Sequence, residues 1–280
     1  MKNLIDYINE SINESVLSDI EDTLSVSDDD LAAELITNWI KTNWYVDGEL
    51  TVKFEGNTRV VDCNGNVGHP KTGKITNRLF VWGNVMGDFI FNAIKTDTNK
   101  VKTLAELGLP RYVGGELGLH GFTNVTNLEG LPDNVNSLRI AGFTKLTSLK
   151  GCPTNVNNKF AISQCASLKG LDYLPKHIGG SITINYNKNL LSIDGLSRVT
   201  NVVNGNLFLN SNYKLKSLEG CPSIVDGLFT CEKCKALTSL SYCPEQVKDY
   251  FACTHCATRF KESEVKTICK VGGVIFAYKR

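Results

Sequence analysis

A mixed α+β chain whose body is a solenoid of parallel strands, with a helical and hairpin cap at its N-terminal side, is the fold this sequence predicts. Three observations predict it. Proline or its stand-in recurs at Pro110, Pro132, Pro153, Pro175, Ser197, Pro222 and Pro244, a period of about 22 residues. Before nearly all of these runs an apolar ladder of spacing three, as in Leu168, Leu171 and Leu174 or Leu215, Leu218 and Cys221. After each comes one apolar residue (Val113, Val135, Val156, Ile178, Val203, Val225, Val247) and then, four residues on in most copies, an alternating pair such as Ile182 and Ile184 or Leu207 and Leu209. A fixed period of this length means stacked supersecondary units, and strict alternation means a short strand with one buried face. One unit cannot bury its apolar face alone, so neighbouring units and end caps must do so.

In chain order, residues 1–44 read as two helices. Leu4, Ile8, Ile12, Val16, Ile20 and Leu24 fall at a spacing of four among polar residues, which makes one amphipathic helix. Ser27 followed by three aspartates caps a second, with Leu31, Leu35 and Trp39 and with Ala32, Ile36 and Ile40 on its apolar face. Residues 45–83 form the cap hairpin, because 48–54 and 58–63 alternate around Glu55, Gly56 and Asn57. The repeats occupy 84–262: seven good copies, preceded by a degenerate one at Val85, Phe89, Phe91 and Ile94 that an insertion at 96–100 interrupts. Residues 263–280 close the array, with 265–270 and 273–278 as a helix or strand pair.

Three residues past the strand lies a further column, Phe122, Phe143, Cys165, Asn187, Asn212, Cys234 and Cys256. An inward Asn or Cys there can hydrogen-bond the backbone of the turn; the two Phe residues require another solution. The combined pattern, as in Leu207, Leu209, Asn212 and Leu215, resembles the leucine-rich repeat. In rhythm, segments such as Leu237 to Pro244, followed by Val247, Phe251 and Cys253, resemble repeat proteins of tailed phages and prophages of gut bacteria. Residues 1–14 resemble the short leader by which T4-type phage internal proteins are packaged and then cut after a Glu, here Glu10 or Glu14. These resemblances imply a phage- or prophage-encoded protein in the host cytoplasm or the virion, and little about activity.

The composition, 42% hydrophobic and 21% charged with a net charge of +1, is that of an ordinary soluble chain. Residues 1–44 carry ten acidic and two basic residues, leaving a mildly basic body. No stretch approaches the roughly 18 apolar residues of a membrane span, and the opening lacks a secretory signal, so no membrane role is expected. The ten cysteines then read as reduced thiols.

Four candidate sites arise. Cys231, Cys234, Cys253 and Cys256 have the spacing of a four-cysteine zinc site, yet the 22-residue period places them in two columns occupied elsewhere by Leu, Ile, Phe or Asn, so structural thiols are expected and zinc stabilisation is the alternative. Gly68 to Thr76 approaches a phosphate-binding loop, but Ile75 stands where the magnesium-binding hydroxyl belongs and a strand, not a helix, follows. His69, His120, His177 and His255 are scattered without an orienting partner, so no catalytic residue, enzyme activity or cofactor is expected. The fourth is the concave sheet face, where Phe208, Leu228 and Tyr250 sit on successive strands with Asn210 and Glu232 at the edge. Clustered exposed apolar residues mark interfaces. With only Arg139 and Lys159 positive there, nucleic acid is not expected. The sequence thus points to a non-enzymatic scaffold that binds a host or virion protein, or alternatively to a structural virion component, internal or decorating.

Overall fold

The computed structural model describes residues 29–56, 58–71, 80–93 and 100–278. The first predicted helix, the Ser27 cap and the leader at 1–14 lie outside the described residues. Helix α1 (Asp29–Asn43) buries Ala32, Leu35, Ile36, Trp39, Ile40 and Asn43. Leu31, expected on that face, is 43% exposed, because in the first turn it falls to one side of a stripe centred on Ile36 and Ile40.

Strands β1 (Trp44–Glu55) and β2 (Thr58–Pro70) pair antiparallel over almost their whole length, so the hairpin is longer than the sequence predicts. β2 also pairs in parallel with β3 (Val81–Val85) and β4 (Phe89–Asn92). The hairpin is therefore the first layer of the stack as well as its cap. Trp44 meets Trp82 at 5.5 Å and Phe91 at 5.9 Å, and Trp39 meets Phe80 at 6.2 Å. These rings join α1 to the first coils.

β5 (Tyr112–His120) and β6 (Asn134–Ala141) are continuous strands. From β7 (Asn155–Val156) and β8 (Phe160–Ser163) onward the strand divides in two. The pattern repeats in β9 (His177–Ile178) and β10 (Ile182–Asn185). After the short helix α2 (Leu196–Val199) follow β11 (Val202–Val203) and β12 (Leu207–Phe208), β13 (Ile224–Val225) and β14 (Phe229–Thr230), and β15 (Gln246–Val247) and β16 (Phe251–Ala252). The even-numbered members extend one 14-stranded sheet, and β11, β13 and β15 belong to a separate 4-stranded sheet. The apolar residue after each Pro thus begins a second strand column, which the sequence reading had left as a single position. The break between β9 and β11 coincides with the longer step at Ser197. Without proline's fixed φ the chain there turns once as α2, and Thr200 N–H donates to Leu196 O at 3.1 Å.

The array does not stop at 262. Helix α3 (Glu262–Ile268) leads into β17 (Lys270–Val271) and β18 (Ile275–Phe276), which pair in parallel with β15 and β16. Residues 263–278 of the expected closing segment therefore complete a further coil, for about nine in all.

Inside the coils up to β16 the two strand positions and the first two ladder positions are buried, while in the last coil Ile275 and Ala277 are half-buried. Seven successive coils turn through a left-handed residue two places beyond the second of the alternating buried positions, as Gly121 follows Leu119 and Lys233 follows Cys231. Gly121 and Gly142 serve in the first turns; Gln164, Tyr186, Ser211, Lys233 and His255 serve later, at φ of 56–61°. That conformation costs a side-chain-bearing residue about 1–2 kcal/mol, and the buried residue that follows offsets it. Cys165 N–H donates to Asn187 Oδ1 at 3.0 Å, and Asn187 N–H to Asn212 Oδ1 at 3.1 Å. Asn212 Nδ2 in turn donates to the carbonyls of Ile184 and Leu209, both at 2.7 Å. Cysteine continues the ladder: the Cys234 thiol accepts from Asn212 N–H and the Cys256 thiol from Cys234 N–H. Phe122 and Phe143 solve the first turns by stacking, with centroids 5.4 Å apart and Phe91 5.6 Å from Phe122.

A candidate interaction face

Along the outward side of the 14-stranded sheet the register aligns Gly118, Arg139, Ala161, Thr183, Phe208, Thr230, Ala252 and Phe276. The face has a charged end and an apolar end. At the apolar end Phe208, Leu228 and Tyr250 are half-buried, each next to a fully buried strand residue, Leu207, Phe229 and Phe251. Thr230 and Ala252, expected to face solvent, are each 4% exposed. Small side chains in a column flanked by Phe208, Leu228, Tyr250 and Phe276 are screened by those larger neighbours. Phe276 is the residue that sequence reasoning missed: 49% exposed, it packs edge-on against Tyr250 at 5.3 Å. Its position one period after Ala252 was the available signal.

Asn210 and Glu232, expected at the edge as groups for a partner, already work within the stack. Asn185 Oδ1 accepts Asn210 N–H at 2.7 Å, and Asn210 Oδ1 accepts Glu232 N–H at 2.8 Å. Glu232 Oε1 accepts the Thr254 hydroxyl, whose oxygen is 3.0 Å from His255 Nδ1. On the opposite flank Ser181 Oγ accepts Asn206 N–H at 3.0 Å and Asn206 Oδ1 accepts Leu228 N–H at 2.9 Å. Each rail replaces a missing strand hydrogen bond with a side chain, so the two-residue strands hold their register.

At the charged end Arg139 makes a bidentate pair with Glu116, at 2.7 and 3.1 Å. A Cβ on Gly118 would stand 3.4 Å from both Glu116 Oε1 and His120 Nε2, so the two side chains converge over that glycine. His120 Nε2 is buried and without a hydrogen-bond partner. Burial, then the Arg139 guanidinium, hold this imidazole below its ordinary pKa, with Glu116 opposing them. The folded form is therefore neutral. Below pH about 6.5 the unfolded chain binds the proton that the folded chain refuses, so stability is complete above that pH and declines as pH falls through the depressed value. The urea midpoint is expected to drop between pH 7 and pH 5, and His120→Gln to flatten that segment; carboxylates titrate lower. An unchanged slope in the variant would assign the effect elsewhere.

The other histidines do not join this cluster: His69 stacks on Tyr45 at 4.8 Å, His177 is exposed on β9, and His255 is an exposed corner. Gly68, His69 and Pro70 belong to β2, and residues 72–76 of the loop-like segment lie outside the described residues. The Cys234 thiol donates to Leu209 O at 3.2 Å and the Cys256 thiol to Cys231 O at 3.0 Å, bonds that require protonated sulfur. Burial holds Cys234 and Cys253 up at about 12. Among the described residues no group of three or more His, Cys, Asp or Glu side chains is placed to hold a metal ion. Nor is any described helix long and apolar enough to cross a membrane.

No protein-family model, curated protein or solved structure matches the chain.

Proposed function

We propose that this chain is a non-enzymatic protein-interaction scaffold that receives a protein partner over Phe208, Leu228 and Tyr250, with Phe276 completing the patch. The observation that carries this reading is the grouping of four large apolar side chains on adjacent coils of an otherwise small and polar face. Such groups supply most of the binding energy where they occur. Asn210 and Glu232 then serve by holding the rail beneath the patch. The repeat belongs to the leucine-rich class on its spacing, and the resemblance to phage and prophage repeat proteins makes the partner a host or virion protein, met in the host cytoplasm or the particle.

Phe208→Ala is expected to weaken capture of that partner by about 30-fold, the equivalent of about 2 kcal/mol for a desolvated aromatic anchor. Its stability cost should stay near 1 kcal/mol, because the side chain is only half-buried. Cross-linking pull-downs with the wild type, Phe208→Ala and Tyr173→Ala, an exposed tyrosine on a different corner, measure this. Equal capture by all three would overturn the reading.

A structural virion role is the second reading, supported by the last strand, where Val274 and Phe276 are 60% and 49% exposed at the end of the array, as an assembly contact would require. Mass spectrometry of purified particles separates the two, since a host-directed scaffold is absent from them.

A further inference from the structure

Seven of the ten cysteines fall between Cys221 and Cys269. Three of these seven, Cys221, Cys243 and Cys269, take no part in the internal ladder. They lie on the opposite side of the coil interior, where the apolar ladder meets the Pro step, and Cys269 ends α3. Register brings the last two near each other: Gln246 lies opposite Lys270, which sets Cys269 opposite Glu245, two residues beyond Cys243, and Lys270 N–H donates to Glu245 O at 2.7 Å. Cys269 thus runs alongside the segment that begins at Cys243, one strand spacing away. The two thiols are close enough that each shifts the other's protonation, and the Cys243 thiol also donates to Pro244 O at 3.7 Å. Both are reduced and nearly buried, at 9% and 5% exposure. Cys269 nevertheless lines a surface cavity of about 500 Å³ together with Glu262, Lys266, Lys270 and Val274. A small oxidant can therefore reach one thiol of the pair through an opening flanked by two lysines.

We propose that Cys243 and Cys269 are a redox pair that a peroxide converts to a disulfide, clasping the final coil to the one before it. Cys269 is the attacking thiol. Of the two it is Cys269 that lines the cavity through which a peroxide enters, and the neighbouring Cys243 thiol favours its thiolate against the opposing effect of burial. The thiolate attacks one peroxide oxygen and breaks the O–O bond. Hydroxide leaves and takes the proton released by Cys269, giving a sulfenic acid and one water. Cys243 then attacks that sulfur, the S–O bond breaks, and the departing hydroxide leaves as a second water with the Cys243 proton. One peroxide is reduced by two electrons and two thiols are oxidised to one disulfide; a dithiol reverses the step.

The element clasped is the least anchored in the array. α3 buries only Val265, and β17 and β18 are two-residue strands at the open end of their sheets. Closing the loop from 243 to 269 restricts the unfolded coil more than the folded one, so the oxidised protein should resist fraying at its C-terminal end. The clasped coil also carries Phe276, which packs edge-on against Tyr250.

The test treats the full-length reduced protein with one to ten equivalents of hydrogen peroxide, blocks the remaining thiols and maps linked peptides by mass spectrometry. The expected result is a 2 Da loss in a peptide pair joining Cys243 to Cys269, reversed by dithiothreitol. Amide exchange in residues 262–276 should also slow at least tenfold. Cys269→Ser should abolish the link, and if that variant fails to fold, the wild-type peptide map alone decides the question. Oxidation that joins Cys221 to Cys243 or Cys231 to Cys256 instead, or that stops at sulfinic acid on Cys269, would overturn the proposal. So would a Cys243–Cys269 link that leaves exchange of the final coil unchanged.

Discussion

Ile184→Asp is expected to dismantle the array, while Thr183→Asp, one residue earlier, leaves it standing. Ile184 is fully buried in β10, at the middle of the stack, and Thr183 lies on the outward side of the same strand. The first change forfeits about 2 kcal/mol of apolar burial and adds a desolvation penalty of several kcal/mol for a carboxylate with no cation beside it. A domain has only about 5–15 kcal/mol to lose. Because each coil touches only its neighbours, failure at β10 separates the coils on either side. Circular dichroism in urea and limited proteolysis measure this: the Ile184 variant should lose its cooperative transition and be cut within the repeats. The Thr183 variant should stay within about 0.5 kcal/mol of the wild type. Comparable losses from the two would mean that the sheet faces are exchanged, since a one-residue slip inverts them.

Asn212→Leu should cost about 3–4 kcal/mol although it adds apolar volume to an apolar interior. Asn212 is fully buried and holds Asn187 N–H and Ile184 O, two groups without access to water. Each costs about 1–3 kcal/mol when left unpaired. Asn212→Cys should cost about half as much, because a thiol accepts a backbone N–H in this column at Cys234 and Cys256. Urea midpoints of the two variants decide this. Equal destabilisation would show that cavity shape, not hydrogen bonding, selects Asn here.

The sequence by itself determined the coil. A period near 22 residues, strict alternation and an apolar ladder of spacing three identify which side chains point inward, and the structure buries both strand positions and the first two ladder positions of each copy. The polar turn column was equally legible, because an Asn among apolar columns at a constant offset must be hydrogen-bonding backbone. That periodicity is also what leads one to expect Phe208, Leu228 and Tyr250 on one face.

Tertiary structure alone decided what depends on contacts between coils or on the ends of the array. Left-handed corners at Gln164, Tyr186 and Lys233 carry no signature in residue type, since the buried hydrogen bond beside them, not their own preference, sustains the conformation. Asn210 and Glu232 read as free groups because the Asn210 side-chain oxygen is engaged by the Glu232 N–H and the Glu232 carboxylate by the Thr254 hydroxyl, each partner 22 residues further along the sequence. At the two ends β2 and β18 join the stack through backbone pairing, which tolerates almost any side chain, so a search for repeated residues passed over both. Phe276 and the Cys243–Cys269 pair went unread for that reason: a pattern is visible only where neighbours repeat it, whereas a contact needs only proximity.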